Sequence, residues 1–224
     1  VLKANDGKFV YVRTAGTGLN KDDVRVVMDF EAPNGSSSQW LNSGTYVARR
    51  AVDQNAKTLT MTIYQLPAEI NTTSSLKIAK PEGVAKQAWD FRVAAPEEKQ
   101  GEQIISELVT LGASTSVGAS KNGMRNIIPI TGGTLEGMIK GKVAFGGADY
   151  QNLSNPATID ARYLWIADDG EAIIVRNAGQ FGKLVPTFEA KADGKYAWLN
   201  SGKYLSSNPG MGANGVVLTM YKSK

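Results

Sequence analysis

A chain of 224 residues with no His and no Cys has a short menu of chemistry. It lacks the imidazole base, the thiol nucleophile, the Ser-His-Asp triad and any Cys- or His-ligated metal. What remains is Asp, Glu, Lys, Arg, Tyr and hydroxyls. Asp149 in "GGADY" is the sharpest candidate, because two glycines let the backbone turn tightly beside a ligand and hold a carboxylate there. As a functional group it would be a base or a hydrogen-bond acceptor; as a structural one it would cap a turn. Glu136 in "GGTLEG" could be its partner if the two environments drive the pKa values apart, or it could be an outward strand residue. Arg162 or Arg176 could stabilise an oxyanion beside them. Asp160 and Arg162 in "DARY" share one strand face, as an ion pair or a substrate clamp. A metal would need an all-oxygen site, no EF-hand spacing is present, and no metal or cofactor is expected. The glycine pairs lack the Gly-Lys-Ser/Thr ending of a phosphate loop.

These residues sit in a chain patterned for strands. The 24 Gly, 8 Pro and short β-branched bursts indicate an all-β protein. No apolar run is long enough for a membrane helix, so no membrane partner is expected. The 25 Lys and Arg against 21 Asp and Glu give a net charge of +4, but they are scattered, which argues against nucleic acid.

Trp-Leu-Asn-Ser-Gly occurs twice, at Trp40–Gly44 and Trp198–Gly202, each followed two places on by Tyr46 or Tyr204. The likeness extends outward. Asp6-Gly7 matches Asp169-Gly170, Val12-Arg13 matches Val175-Arg176, Phe30-Glu31-Ala32 matches Phe188-Glu189-Ala190, and Tyr64 matches Tyr221. The pattern predicts a duplicated unit, with each block a hairpin: Trp on one arm, Asn-Ser-Gly at the bend, Tyr opening the return strand. Asn200 could serve that turn or a ligand, and Trp198 the core or a cavity wall. Further runs at Glu107–Ser116, Arg125–Ile130, Thr134–Ala144 and Thr158–Ile166 read as strands. Residues 69–101 read as a polar linker with a short packed element at 88–93.

The second unit resembles the domain-of-unknown-function 3237 family of bacteria and fungi. The residues that carry this are "PITGGTLEGMIKGKVAFGGADYQ", "DARYLWIADDGEAIIVRNAG" and "YAWLN". It departs from the usual pattern at Leu135, Met138 and Tyr150. The resemblance implies an antiparallel, calycin-like β-barrel of the type that holds small ligands in its mouth, without implying a chemistry. One complete barrel is therefore expected over 102–224, and the C-terminal half of a second over 1–68. An upstream fragment of a tandem precursor, or a second chain, would complete the latter.

Two functions follow as expectations. One is a small-molecule or carbohydrate binding protein whose mouth is lined by Tyr150, Arg162, Arg176, Trp198 and Asn200. The other is a hydrolase or isomerase/cyclase, free of cofactors, using Asp149 and Glu136. Sequons at Asn34, Asn71 and Asn152 favour a secreted glycoprotein, with a cytoplasmic protein as the alternative.

Overall fold

The computed structural model describes residues 1–20, 23–67, 91–212 and 214–224. The described residues are all-β apart from two short 3-10 turns, and none of their helices is long and apolar enough to cross a membrane. The strands are β1 (Leu2–Lys3), β2 (Phe9–Asn20), β3 (Asp23–Glu31), β4 (Tyr46–Asp53), β5 (Thr58–Gln65), β6 (Gln100–Leu111), β7 (Thr115–Ser120) and β8 (Gly123–Gly137). They continue as β9 (Gly141–Val143), β10 (Ala148–Asn152), β11 (Thr158–Ala167), β12 (Ala172–Gln180), β13 (Lys183–Glu189), β14 (Tyr204–Ser206), β15 (Gly210–Gly212) and β16 (Gly215–Ser223).

The chain divides into two compact units: Val1–Asp90 with Ala119–Asn122, and Phe91–Gly118 with Gly123–Lys224. The first contains an antiparallel sheet in the order β1-β2-β3-β4-β5. Its core is Val10, Val26, Met28, Phe30, Ala32, Tyr46 and Ala48. Beyond β5, no described strand pairs, and Leu59, Ile63 and Tyr64 on that strand are exposed. Most of the expected linker, including Asn71 and half of the element at 88–93, lies outside the described residues. Phe91–Val93 are irregular, and β6 already begins at Gln100.

The second unit is an eleven-stranded sheet in the order β13-β12-β11-β10-β8-β6-β16-β14, with β7, β9 and β15 as short branches. It curls until β13 lies against β14, where Phe188 and Tyr204 meet edge to face at 5.1 Å. The alternation of side chains along a strand fills the interior. Ile105, Glu107 and Val109 enter from β6, Ala161, Tyr163 and Trp165 from β11, and Val175 and Asn177 from β12, all buried except the partly buried Ala161. One end of the interior is packed solid by Trp165, Phe188, Tyr204, Leu199 and Met220. Instead of one strand, Thr134–Ala144 is the end of β8, a break, and then β9.

The repeated block is not a hairpin arm. Gln39–Asn42 and Ala197–Asn200 are 3-10 turns, and the strand starts only at Tyr46 or Tyr204. The reason is local. The Asn42 side chain bonds both backbone polar atoms of Ala32, and Asn200 does the same to Ala190. That side chain takes the backbone bonds a neighbouring strand would otherwise supply.

Candidate functional site

The other end of the second unit's interior is hollow. The cavity measures about 240 Å³. Val109, Leu111, Ile128, Ile130, Ile159 and Leu184 give it apolar walls, and Asp149, Gln151, Tyr163 and Asn177 are its polar groups. Phe181 and Met211 also line it and are 62% and 91% exposed, so they mark an apolar mouth.

Asp149 reaches the cavity because of its turn. Gly147 precedes it with φ 84°, and a Cβ there would lie 2.2 Å from the Arg162 carbonyl oxygen. Only glycine lets β10 start that close to β11. With Asp149 facing Ala161 across the pair, Asp149 and Gln151 both point inward. Gln151 Nε2 donates to Asp149 Oδ2 at 2.7 Å. Oδ1 is buried without a side-chain partner among the described residues, and the Asp160 backbone N–H lies close enough to act on the carboxyl. Burial, with the nearby Asp160 charge, outweighs the hydrogen bonds from Gln151 and the Asp160 backbone N–H and pushes the carboxyl up to about 6. Asn177 Nδ2 donates to Ser206 Oγ at 3.1 Å, while its Oδ1 is likewise buried and unpartnered. Two buried acceptors without a side-chain partner thus belong to residues that line the chamber. Such atoms call for a bound partner, because a buried unpaired polar atom costs about 1–3 kcal/mol.

The other sequence candidates lie elsewhere, for one geometric reason. Glu136 follows buried Leu135 on β8 and is exposed, so it does not pair with Asp149. Tyr150 alternates with Asp149 and Gln151, Arg162 with Ala161 and Tyr163, and Arg176 neighbours Asn177, so all three point away from the cavity. Arg162 and Arg176 converge on Asp160. Arg162 Nη2 is 2.8 Å from Oδ2, and Arg176 Nε is 2.8 Å from Oδ1. Burial pushes the Asp160 carboxyl up, but the two guanidiniums together hold it below the usual carboxylate range. Trp198 packs edge to face on Tyr204 at 6.3 Å, and Asn200 is engaged with Ala190. The expected ligand-binding set therefore does not coincide with the cavity lining, since each of its members lies on the outer strand face or in the 3-10 turn. Of the sequons, Asn34 is exposed and Asn152 is half-buried, its Oδ1 accepting from the Ser154 N–H. Among the described residues no group of three or more acidic side chains is placed to hold a metal ion.

The cavity groups that the spacing did not single out are Gln151, Tyr163, Asn177 and, just behind the wall, Glu107. Glu107 has a visible signal: it falls in phase with Ile105 and Val109, so a carboxyl occupies a core position.

The comparisons place this unit among known proteins. The family described as a protein of unknown function, DUF3237, matches residues 102–183. A UPF0311 protein of Rhodopseudomonas palustris is 42% identical over 76 residues, which are 32% of this chain and 50% of that protein, so this chain spans about half the length of that relative. A UPF0311 protein of Bradyrhizobium diazoefficiens is 31% identical over 121 residues, which are 43% of this chain and 79% of its own. Two crystal structures share the architecture. A conserved protein of unknown function from Rhodopseudomonas palustris has 27% identity and a TM-score of 0.52, covering 58% of this chain and 100% of its own. A β-barrel-like protein from Acinetobacter baumannii has 30% identity and a TM-score of 0.51, covering 59% and 100%. With its barrel-forming motifs in order and most of a relative's length matched, the chain belongs to the DUF3237 family of proteins of unknown function.

Proposed function

We propose that the second unit binds an apolar small molecule in its cavity and that Asp149 moves a proton to or from it. The observation that carries this reading is the Asp149 carboxyl: buried in the wall of a largely apolar chamber, with Gln151 its one side-chain donor, and raised to about 6. A carboxylate stripped of water is a stronger base than one in solvent, and a pKa near the working pH suits either direction of transfer. The reaction class is isomerisation or cyclisation by proton transfer, the chemistry open to a chain without Cys or His. The lining favours an apolar occupant over a sugar, whose hydroxyls would lie unpaired against Val109, Leu111 and Ile130. The volume of about 240 Å³ suits a small molecule of one or two rings and lies just below the roughly 300–1,000 Å³ typical of ligand pockets.

The test uses 5-nitrobenzisoxazole, a flat apolar compound that ring-opens when a desolvated base removes one proton. The full chain is expected to accelerate the opening, with a rate that rises through pH 6 and then levels. Asp149→Asn, checked for folding by its melting curve, should lose about 10²-fold or more. A wild-type rate equal to that of the variant overturns the reading.

A further inference from the structure

Behind the cavity wall, at the boundary between the hollow and the packed halves of the interior, lies a second carboxyl. Glu107 is 1% exposed. Tyr163 Oη donates to its Oε1 at 2.5 Å, and Trp165 Nε1 donates to its Oε2 at 2.9 Å. Its cross-strand neighbours are Leu135 on β8 and Leu218 on β16. No Lys or Arg among the described residues pairs with it. Such a carboxyl is costly as an anion, and burial, offset only in part by its two hydrogen bonds, raises it to about 7. Glu107 does not line the cavity, but Tyr163 does.

This arrangement gives the Tyr163 hydroxyl two settings. With Glu107 ionised, the phenolic proton is committed to Oε1, and the hydroxyl can only accept from the cavity. With Glu107 protonated, the acid's O–H can donate to Tyr163 Oη and free the phenolic proton for an occupant.

We propose that Tyr163 is the second ligand-contacting group of the cavity and Glu107 its proton source, so that the pair delivers a proton to a substrate oxygen while Asp149 removes one from a nearby carbon. This rests on the cavity being a ligand site. The fitting substrates are apolar carbonyl compounds and their enols. Asp149 forms an O–H bond with the proton leaving the carbon. The C–H electron pair becomes a C=C bond, and the C=O π pair goes to oxygen, which takes the Tyr163 proton. Tyr163 then takes the proton of Glu107. Nothing is oxidised, and the protein ends with one proton moved from Glu107 to Asp149. The ionisable groups facing Glu107 are Tyr163 on β11 and, beyond it, Asp149 on β10; β6, β8 and β16 present Ile105, Val109, Leu135, Leu218 and Met220.

Naphthalene and 2-acetylnaphthalene, which differ by one carbonyl group, separate this idea from the reading beneath it. Their dissociation constants are measured from pH 5.5 to 8.5 in an Asp149→Asn background, so that Asp149 contributes no titration. The ketone should bind about fivefold tighter than naphthalene at the acid end, the weight of one hydrogen bond. That advantage should fade as pH rises through about 7. It should vanish in Tyr163→Phe and become independent of pH in Glu107→Gln, each ketone affinity being taken relative to that of naphthalene in the same variant. If naphthalene itself fails to bind, the cavity reading falls and takes this one with it. If naphthalene binds but the ketone's advantage is absent, survives Tyr163→Phe, or ignores pH in the chain that keeps Glu107, only the Tyr163–Glu107 assignment falls. The Tyr163→Phe series and the pH series decide the matter even should Glu107→Gln not fold.

Discussion

Asn200 grips Ala190 by both of its backbone polar atoms. The Ala190 N–H donates to Asn200 Oδ1 at 2.7 Å, and Asn200 Nδ2 donates to the Ala190 carbonyl at 2.9 Å. Asn42 grips Ala32 in the same way, at 2.7 and 3.0 Å. Asn200→Ala should therefore lower unfolding stability by about 1–2 kcal/mol. Asn200→Asp keeps the acceptor and loses the donor, so it should fall between alanine and wild type. Urea unfolding measures both, and an Asp variant no better than Ala would deny the clasp its two-sided character.

Tyr204 explains the glycine of the same block. A Cβ at Gly202 would lie 2.1 Å from the Tyr204 hydroxyl, and at Gly44 it would lie 2.2 Å from that of Tyr46. The ring folds back over the glycine and donates to the Trp198 carbonyl at 3.2 Å. Gly202→Ala should cost about 1–3 kcal/mol, as overpacking does. In a Tyr204→Leu background that cost should largely disappear, a coupling that a double-mutant cycle reads directly. Equal costs in both backgrounds would place the penalty in the backbone instead.

Together these contacts show why the twice-occurring block was legible as important but not as what it is. Its residue types fit a turn, and Tyr at its end does open a strand. What spacing alone does not reveal is that Asn reaches ten residues back to a neighbouring chain segment, which turns an expected hairpin arm into a 3-10 turn. The site shows the same division. The place of Asp149 at a close backbone approach on the cavity wall was readable from its paired glycines. Glu136 misled because the glycines around it are equally conspicuous, yet its neighbour Leu135 takes the inward position. Glu107 went unread because one carboxyl within a β-rich run looks like an ordinary outward charge until its phase with Ile105 and Val109 is counted.

Glu107 and Asp149 give the stability a definite slope with pH. Burial raises Glu107 from 4.5 to about 7 and Asp149 from 3.8 to about 6. Both bind their protons more tightly folded than unfolded. The stability they confer is full below the unfolded values and is lost as pH rises through the folded ones. The loss is on the order of 3 kcal/mol for each group, from about 1.4 kcal/mol per pKa unit. Relative to wild type, an Asp149→Asn/Glu107→Gln chain should therefore gain stability between pH 4 and pH 8. Melting curves across that range test it, and a constant difference between the two proteins would refute it.

Asp160 slopes the other way. Its pKa is held below the unfolded value by Arg162 and Arg176, so its contribution is present above the unfolded value near 3.8 and is lost as pH falls. Asp160→Asn should cost about 2 kcal/mol or more at pH 7, because two half-buried guanidiniums lose their common partner. The variant should also lose less stability than wild type on going from pH 5 to pH 2. Acid titration followed by tryptophan fluorescence reads this, and parallel curves would speak against the shared carboxylate.

The same trio bears on how the strands find their alignment during folding. Arg162 and Arg176 stand directly opposite each other across β11 and β12, a juxtaposition that repels unless something lies between. Asp160, two residues along on the same face, is what lies between. Sliding β12 by one residue would carry Asn177 outward and Arg176 toward the hollow interior, and sliding it by two would part Arg176 from the carboxylate. Either mispairing costs Arg176 its shared carboxylate, so this cluster, on the strand face opposite the cavity lining, favours the register in which Tyr163 and Asn177 line the same chamber.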